Sequence, residues 1–392
     1  MRGRRRELGR GALACVIADT DVIRPLGMAG IHSACVAERD WAPAWSRFTA
    51  ARVEWADSWE RPDELLRNLL GFAERQDEPV PLFVQQDRDL LFASRRREVL
   101  ARAFRLLLPD PLTIEACVDK ARFGELAARV GLPVPRSAPV SPRGDAGPPE
   151  LPFDFPIVLK PVTRREASWR PHNAGHKAIQ VDSRRALEDA WPRLVSIGVE
   201  LVAQELVPGG EDRIESYHAY VDERQDVAAA FTGRKLRTLP QRFGDTTALE
   251  ITDAGDVREL GRDCMRRLGL RGVAKLDFKR APDGELRLLE VNPRFNLWHH
   301  PGAIAGVNLP ALVHADLTGR ARPRVRSARA GVRWSVPWDD WRAARATGLP
   351  PREWMRWQAR CDAWHVIALD DPMPLLRTIV WPRLRGRHEP AP

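Results

Sequence analysis

The stretch 272–295, GVAKLDFKRAPDGELRLLEVNPRF, constrains this chain more than any other. Two strand-like runs flank Ala-Pro-Asp-Gly, a turn-forming tetrapeptide, so the spacing predicts a β-hairpin. With the turn centred on Asp283 and Gly284, Asp277 faces Glu290 and Lys275 faces Asn292 across the strands. Side chains alternate along a strand, so these four share one face. Leu276, Phe278, Leu289 and Val291 then make the apolar face. A loop with an odd number of residues, or a bulge, would break that register.

Directly opposed carboxylates repel unless positive charge lies between them. One explanation is that Lys275 and Lys279 neutralise a solvated face. The sharper one is a Mg²⁺ site built from Asp277, Glu290 and the Asn292 side-chain oxygen, because Mg²⁺ takes oxygen ligands and combines one or two carboxylates with water and substrate phosphates. Arg294, just beyond, could hold a phosphate in bidentate fashion.

Lysine usage points the same way. Of 62 basic residues only six are lysines, at 120, 160, 177, 235, 275 and 279. A lysine offers a compact point charge on a flexible stem, whereas arginine offers a planar fork. A chain that uses arginine elsewhere keeps lysine where a point charge must reach a phosphate.

Before the hairpin, β and α patterns alternate over roughly 1–110: ALACVIADTD as a strand, VIRPLGMAGI as a helix, HSACVAE as a strand, PDELLRNLLGFAERQ as a helix, VPLFVQQD as a strand. That order predicts a doubly wound parallel sheet. No G-x-G-x-x-G follows the first strand, so a dinucleotide site there has no support. TIEACVDKARFGELAARVGLPVPRS reads as one helix stopped at Gly131, and 133–156 carry eight prolines. FPIVLKPV and VELVAQELV read as buried strands, and 214–237 as a hairpin.

These pieces together resemble the ATP-grasp superfamily, whose members include D-alanine ligase, biotin carboxylase and carbamoyl phosphate synthetase. The hairpin ending in LLEVNPR is similar to the family's magnesium-binding hairpin, DKARFGELAARVGLPVP to the segment of its first ATP-contacting lysine, and FPIVLKP to the strand of its second. The resemblance implies an α/β (α+β) fold: a Rossmann-like pre-ATP-grasp domain over 1–112, an ATP-grasp domain over 113–322 with a lid lobe at about 155–210, and a Trp/Arg/Pro-rich extension over 323–392.

It further implies that Lys120 and Lys160 hold the α/β phosphates, that Gln204, Glu205, Leu206 and Val207 lie beside the adenine, and that Asp212 or Glu211 binds the ribose. Asp277, Glu290 and Asn292 would hold Mg²⁺, with Mn²⁺ as a substitute. Lys275 and Arg294 would stabilise the transferring phosphoryl group, and Lys235 would reach the γ-phosphate. The loop 163–177, with Trp169, Asn173, Gly175 and Lys177, falls where the family has a lid. Motifs such as FTGRKLRT bring the D-aspartate-ligase-like carboxylate–amine ligases nearest. The implied activity is formation of an acyl phosphate from a carboxylate and ATP, followed by attack of an amine; the alternative is an ATP-binding module without catalysis.

Other classes fare worse. Net charge is +9, but the arginines are scattered and no stacking platform or nucleic-acid motif accompanies them. The expected partners are therefore small-molecule carboxylates and amines rather than nucleic acid or membrane. Five separated cysteines with no C-x-x-C suit reduced thiols and a cytoplasmic location. The start, MRGRRRELGRGALACVIAD, is read as a basic tail and first strand rather than an export signal. His299 and His300 are adjacent, point different ways and lack a third partner, so they are read as structural or pocket residues rather than metal ligands.

Overall fold

The computed structural model describes residues 13–38, 40–143, 147–163, 165 and 169–381. The basic N-terminal tail and positions 164 and 166–168 of the expected lid lie outside them. The chain divides into two compact units: the described parts of Met1–Leu108, Arg294–Ser327 and Ala363–Pro392 form one, Pro109–Pro293 and Ala328–Asp362 the other.

The first unit contains β1 (Leu13–Ile17), α1 (Thr20–Met28), β2 (His32–Ala37), β3 (Thr49–Glu54), α2 (Pro62–Ala73), β4 (Val80–Val84), α3 (Asp87–Arg95), α4 (Arg97–Leu100) and β5 (Phe104–Arg105). Its strands run parallel in the order β3-β2-β1-β4-β5. The doubly wound pattern expected from the alternation is present, and β1 is apolar throughout because both faces of such a sheet are covered. Cys15 and Cys35 lie in that core, where burial drives both thiols far above their usual range.

The second unit begins with α5 (Pro111–Val118) and α6 (Lys120–Arg129). The sequence pattern predicts a single helix here, and the break at Asp119 has a local cause. Asp119 is extended (φ −93°, ψ 113°), and its carboxylate caps α6 by accepting from the N–H groups of Ala121 and Arg122. Aspartate is a favoured N-cap and a poor helix-interior residue, so a new helix starts here.

Then come β6 (Ser137–Val140), β7 (Ile157–Pro161), α7 (Trp169–His172), β8 (Ile179–Val181), α8 (Arg184–Ile197) and β9 (Leu201–Glu205). These strands pair antiparallel in the order β6-β9-β7-β8, and α8 packs Leu187, Trp191 and Leu194 against Ile157, Leu159 and Ala203. A larger sheet follows from β10 (Ile214–Val221), β11 (Val227–Leu239), β12 (Asp245–Thr252), β13 (Gly272–Arg280) and β14 (Leu286–Asn292), with α9 (Gly255–Arg267) on its back. Gly261 of α9 lies so close to Tyr217 that a Cβ there would meet the ring at 2.4 Å, so only glycine lets the helix seat on the sheet.

Within the first unit, α10 (His299–Ile304) and α11 (Leu309–Thr318) follow. The second unit resumes with β15 (Arg333–Ser335), α12 (Pro337–Ala346) and α13 (Pro351–Gln358). In the large sheet, strands of the second unit run β14-β13-β10-β11-β12-β15. The Trp-rich stretch is held by Asp340, which takes the Arg237 guanidinium in a two-point bond at 2.7 and 2.7 Å and also accepts from Thr247, Trp354 and Gln358.

The hairpin β13–β14 departs from the simple reading twice. Its loop has three residues, because Ala281 pairs with Glu285 and Gly284 adopts φ +91°, a conformation open to glycine. This puts Phe278 opposite Leu288 and Lys279 opposite Arg287, one step away from the expected register. A bulge between the Asp277 and Phe278 pairs then adds a residue on β14 and restores it. Beyond the bulge, Asp277 faces Glu290 and Lys275 faces Asn292, as the spacing predicts. The apolar face is corrected accordingly: Leu288, at 0 % exposure, takes the core place expected for Leu289, beside Leu276, Phe278 and Val291. Full burial of each such side chain is worth roughly 1.5–3 kcal/mol, which fixes which face of the hairpin is turned outward.

Candidate active site

The polar face of the large sheet is a grid set by strand register. In one row Phe231, His218, Lys275 and Asn292 are neighbours across β11, β10, β13 and β14; in the next stand Gly233, Ser216, Asp277 and Glu290. The adjoining row brings Ile214 beside Lys279. Alternation sends Tyr217, Leu276 and Phe278 into the core behind, so the same pattern that builds the core aims the polar groups outward.

Asp277 is 1 % exposed and heavily engaged. Lys275 Nζ donates to Oδ2 at 2.7 Å, Lys235 Nζ lies 3.3 Å from the same oxygen, and the Ser216 hydroxyl donates to Oδ1. Asn292 Nδ2 donates to Glu290 Oε1 at 3.1 Å. Burial pushes Lys275 down to about 8, with Asp277 opposing. For Lys235 burial also pulls down, but Asp277, Glu290 and Glu211 together carry it above its usual value.

On the smaller sheet, Lys160 of β7 donates to Gln204 Oε1 of β9 at 2.9 Å, and burial pushes it down to about 8 against the pull of Glu290. Lys120, the first residue of α6, donates through Nζ to Pro161 O at 2.9 Å, and its backbone N–H bonds Val162 O at 3.0 Å. The break at Asp119 therefore seats Lys120 at the end of β7, where it bonds Pro161, the residue after Lys160. Glu205 binds Arg136 through its carboxylate (2.7 Å), while the N–H groups of Glu205 and Leu206 bond Arg136 O and Pro156 O.

Past that strand lies a cavity of about 280 Å³ lined by Leu206, Gly209, Glu211, Arg242, Phe243 and Lys279 among others. Of the two acidic residues considered for a ribose, Glu211 borders this cavity, whereas the carboxylate of Asp212 packs against Gly210. Lys177, in the described part of the expected lid, pairs with Asp245 at 2.5 Å and donates to Gly244 O at 3.2 Å. Arg294 belongs to the first unit, where Asp87 takes its guanidinium. His299 and His300 are buried in α10, and burial lowers both, to about 3 and about 4.

Ser216 and His218 escaped the sequence reading. Their signal is the alternation in IESYHAYV, which becomes informative only once β10 is known to pair with β13. His218 is fully buried and stacks on Phe231 at 4.5 Å, flooring the site beside Lys275. Lys279, Arg242 and Phe243 were likewise not singled out as cavity residues.

The donor set suits a hard divalent cation: two opposed carboxylates and an amide, oxygen donors at the ends of paired strands. Among the described residues no group of three or more His, Cys, Asp or Glu gathers to hold a metal. Mg²⁺ commonly combines one or two carboxylates with water and substrate phosphates. Among the described residues no helix is long and apolar enough to cross a membrane.

A sequence-family profile described as "ATP-grasp in the biosynthetic pathway with Ter operon" matches residues 223–336, the stretch from β11 to the start of α12. A D-aspartate ligase of Enterococcus faecium is 25% identical over 231 residues, covering 57% of this chain and 55% of its own. The vancomycin B-type resistance protein VanB of Enterococcus faecalis is 27% identical over 218 residues, covering 52% and 61%. The chain thus spans little more than half the length of these curated relatives. Among solved structures, an L-amino acid ligase from Bacillus licheniformis superposes with a TM-score of 0.57 at 16% identity, over 78% of this chain and 73% of its own. The sheet order and these similarities agree with an ATP-grasp fold, and the profile match falls on the stretch that carries the paired hairpin carboxylates.

Proposed function

We propose that the protein is an ATP- and Mg²⁺-dependent ligase that activates a carboxylate as an acyl phosphate and joins it to an amine, releasing ADP and phosphate. The observation that carries this reading is the opposed pair Asp277 and Glu290, with Asn292, Lys275 and Lys235 on one sheet face. In this reading Asp277, Glu290 and Asn292 hold Mg²⁺, which when bound screens the phosphate charges. Lys120 and Lys160 bind the α/β phosphates. Gln204 to Val207 flank the base, and Glu211, or else Asp212, binds the ribose. Lys235 and Lys275 meet the γ-phosphate and stabilise the charge that develops on transfer, and Arg294 is assigned to the acyl phosphate. Phosphoryl transfer needs little covalent work from a protein; positioning and fixed charge account for most of the rate.

The names of the relatives put amino acids first among substrates to try. ADP release with Mg·ATP across a panel of amino and other carboxylic acids, each with and without amines, tests the reading. The expected result is release that needs both an acid and an amine. Tight ATP binding without turnover for any pair would instead favour a silent nucleotide-binding module.

A further inference from the structure

Lys235 and Lys275 bring both ammonium groups to one oxygen, Asp277 Oδ2, while Ser216 occupies Oδ1. The three charged side chains are 12%, 10% and 2% exposed, so water screens them weakly. On this face two lysines already balance the two carboxylates, and Lys160 adds a further positive charge within the field of Glu290. A bare divalent cation would bring two more positive charges and would have to displace an ammonium from Asp277. A cation carried by a polyphosphate brings compensating negative charge, and its oxygens offer the displaced ammonium groups new acceptors. Lysine suits such an exchange, since its flexible stem lets a point charge move between acceptors.

Resting on the metal assignment proposed above, we infer that Lys235 and Lys275 are resident counter-ions of Asp277 that keep the hairpin from taking free divalent cations and admit a cation only together with the phosphates of a nucleotide. Titration of Mn²⁺ into the full chain, followed by the electron paramagnetic resonance of the free ion, tests this without turnover. Wild type is expected to bind Mn²⁺ alone at least about ten-fold more weakly than with a non-hydrolysable ATP analogue. Lys275→Met and Lys235→Met should each tighten binding of Mn²⁺ alone by roughly ten-fold and weaken binding of the Mn²⁺–nucleotide pair.

Tight binding of Mn²⁺ alone by wild type overturns the inference whatever the variants do. So does the absence of a gain in Met variants that keep the wild-type circular dichroism. Asp277→Asn separates metal ligation from counter-ion exclusion. If it leaves Mn²⁺ binding with nucleotide intact, the metal assignment falls and the inference with it; if it abolishes that binding while the Met variants gain nothing, the inference alone falls.

Discussion

Two aspartates of the second unit are equally buried, Asp277 at 1 % and Asp340 at 0 % exposure, yet they are neutralised by different chemistry. Asp340 receives the Arg237 fork on both oxygens, a threonine hydroxyl, an indole N–H and an amide N–H. Its lone pairs are used up by groups that rigid helices and strands hold in place. Asp277 receives two ammonium groups on one oxygen and a hydroxyl on the other. Arginine gives a planar match that fastens the chain, whereas lysine gives charge that can be handed over. Burial and charge balance are common to both; the exchangeability of the partner is what distinguishes Asp277, the proposed metal ligand.

Substitution should split the pair. Asp277→Asn is expected to reduce Mg²⁺-dependent ADP formation by about a thousand-fold or more, ~4 kcal/mol at the transition state, with Tm by circular dichroism shifted by only a few degrees. Asp340→Ala should do the reverse, lowering unfolding stability by about 3–5 kcal/mol in urea titrations because it strands the buried Arg237 charge. Enzyme that remains folded should keep its turnover. Equal loss of activity and stability in both variants would mean that the two aspartates play the same structural part.

A milder change sharpens it. Arg237→Lys keeps the charge but cannot reach both Asp340 oxygens, so a loss of about 2 kcal/mol in stability is expected by the same urea titration. No measurable loss would mean that charge alone, not the fork, secures the Trp-rich stretch.

Much of this architecture is legible in the sequence. Alternation of β and α patterns gave the parallel sheet of the first unit, and the Asp-Gly turn gave the pairing of Asp277 with Glu290 and of Lys275 with Asn292. The pairing was right for an incomplete reason: a three-residue loop and a bulge each shift the register by one, and they cancel at the site but not at Leu288 and Leu289. Local turn preference reports loop residues; it does not report a bulge further along the strands. The helix break at Asp119 was missed because the helical pattern runs on across it, although aspartate suits an N-cap better than a helix interior. Ser216, His218 and the partners of Asp340 depend on strands and helices far apart in sequence, so no local pattern announces them.

The smallest effect is a dependence on pH, and it concerns Lys160. Burial holds Lys160 at about 8 in the folded chain, below the value near 10.4 of a free lysine. Between those values the unfolded chain binds more protons than the folded one, so the contribution of Lys160 to stability rises with pH and is lost as pH falls toward 8. Affinity for phosphate runs the other way: the charged ammonium is the form that binds, and above about 8 the folded protein must take up a proton to bind. Metal-free ADP binding by calorimetry should therefore be flat up to about pH 7.5 and fall by at most about ten-fold per unit above 8. Lys160→Met should bind more weakly at neutral pH and lose most of that slope. A slope unchanged in the variant would assign the titration to another group, and would place Lys160 with the residues that fasten the chain rather than with those that meet phosphate.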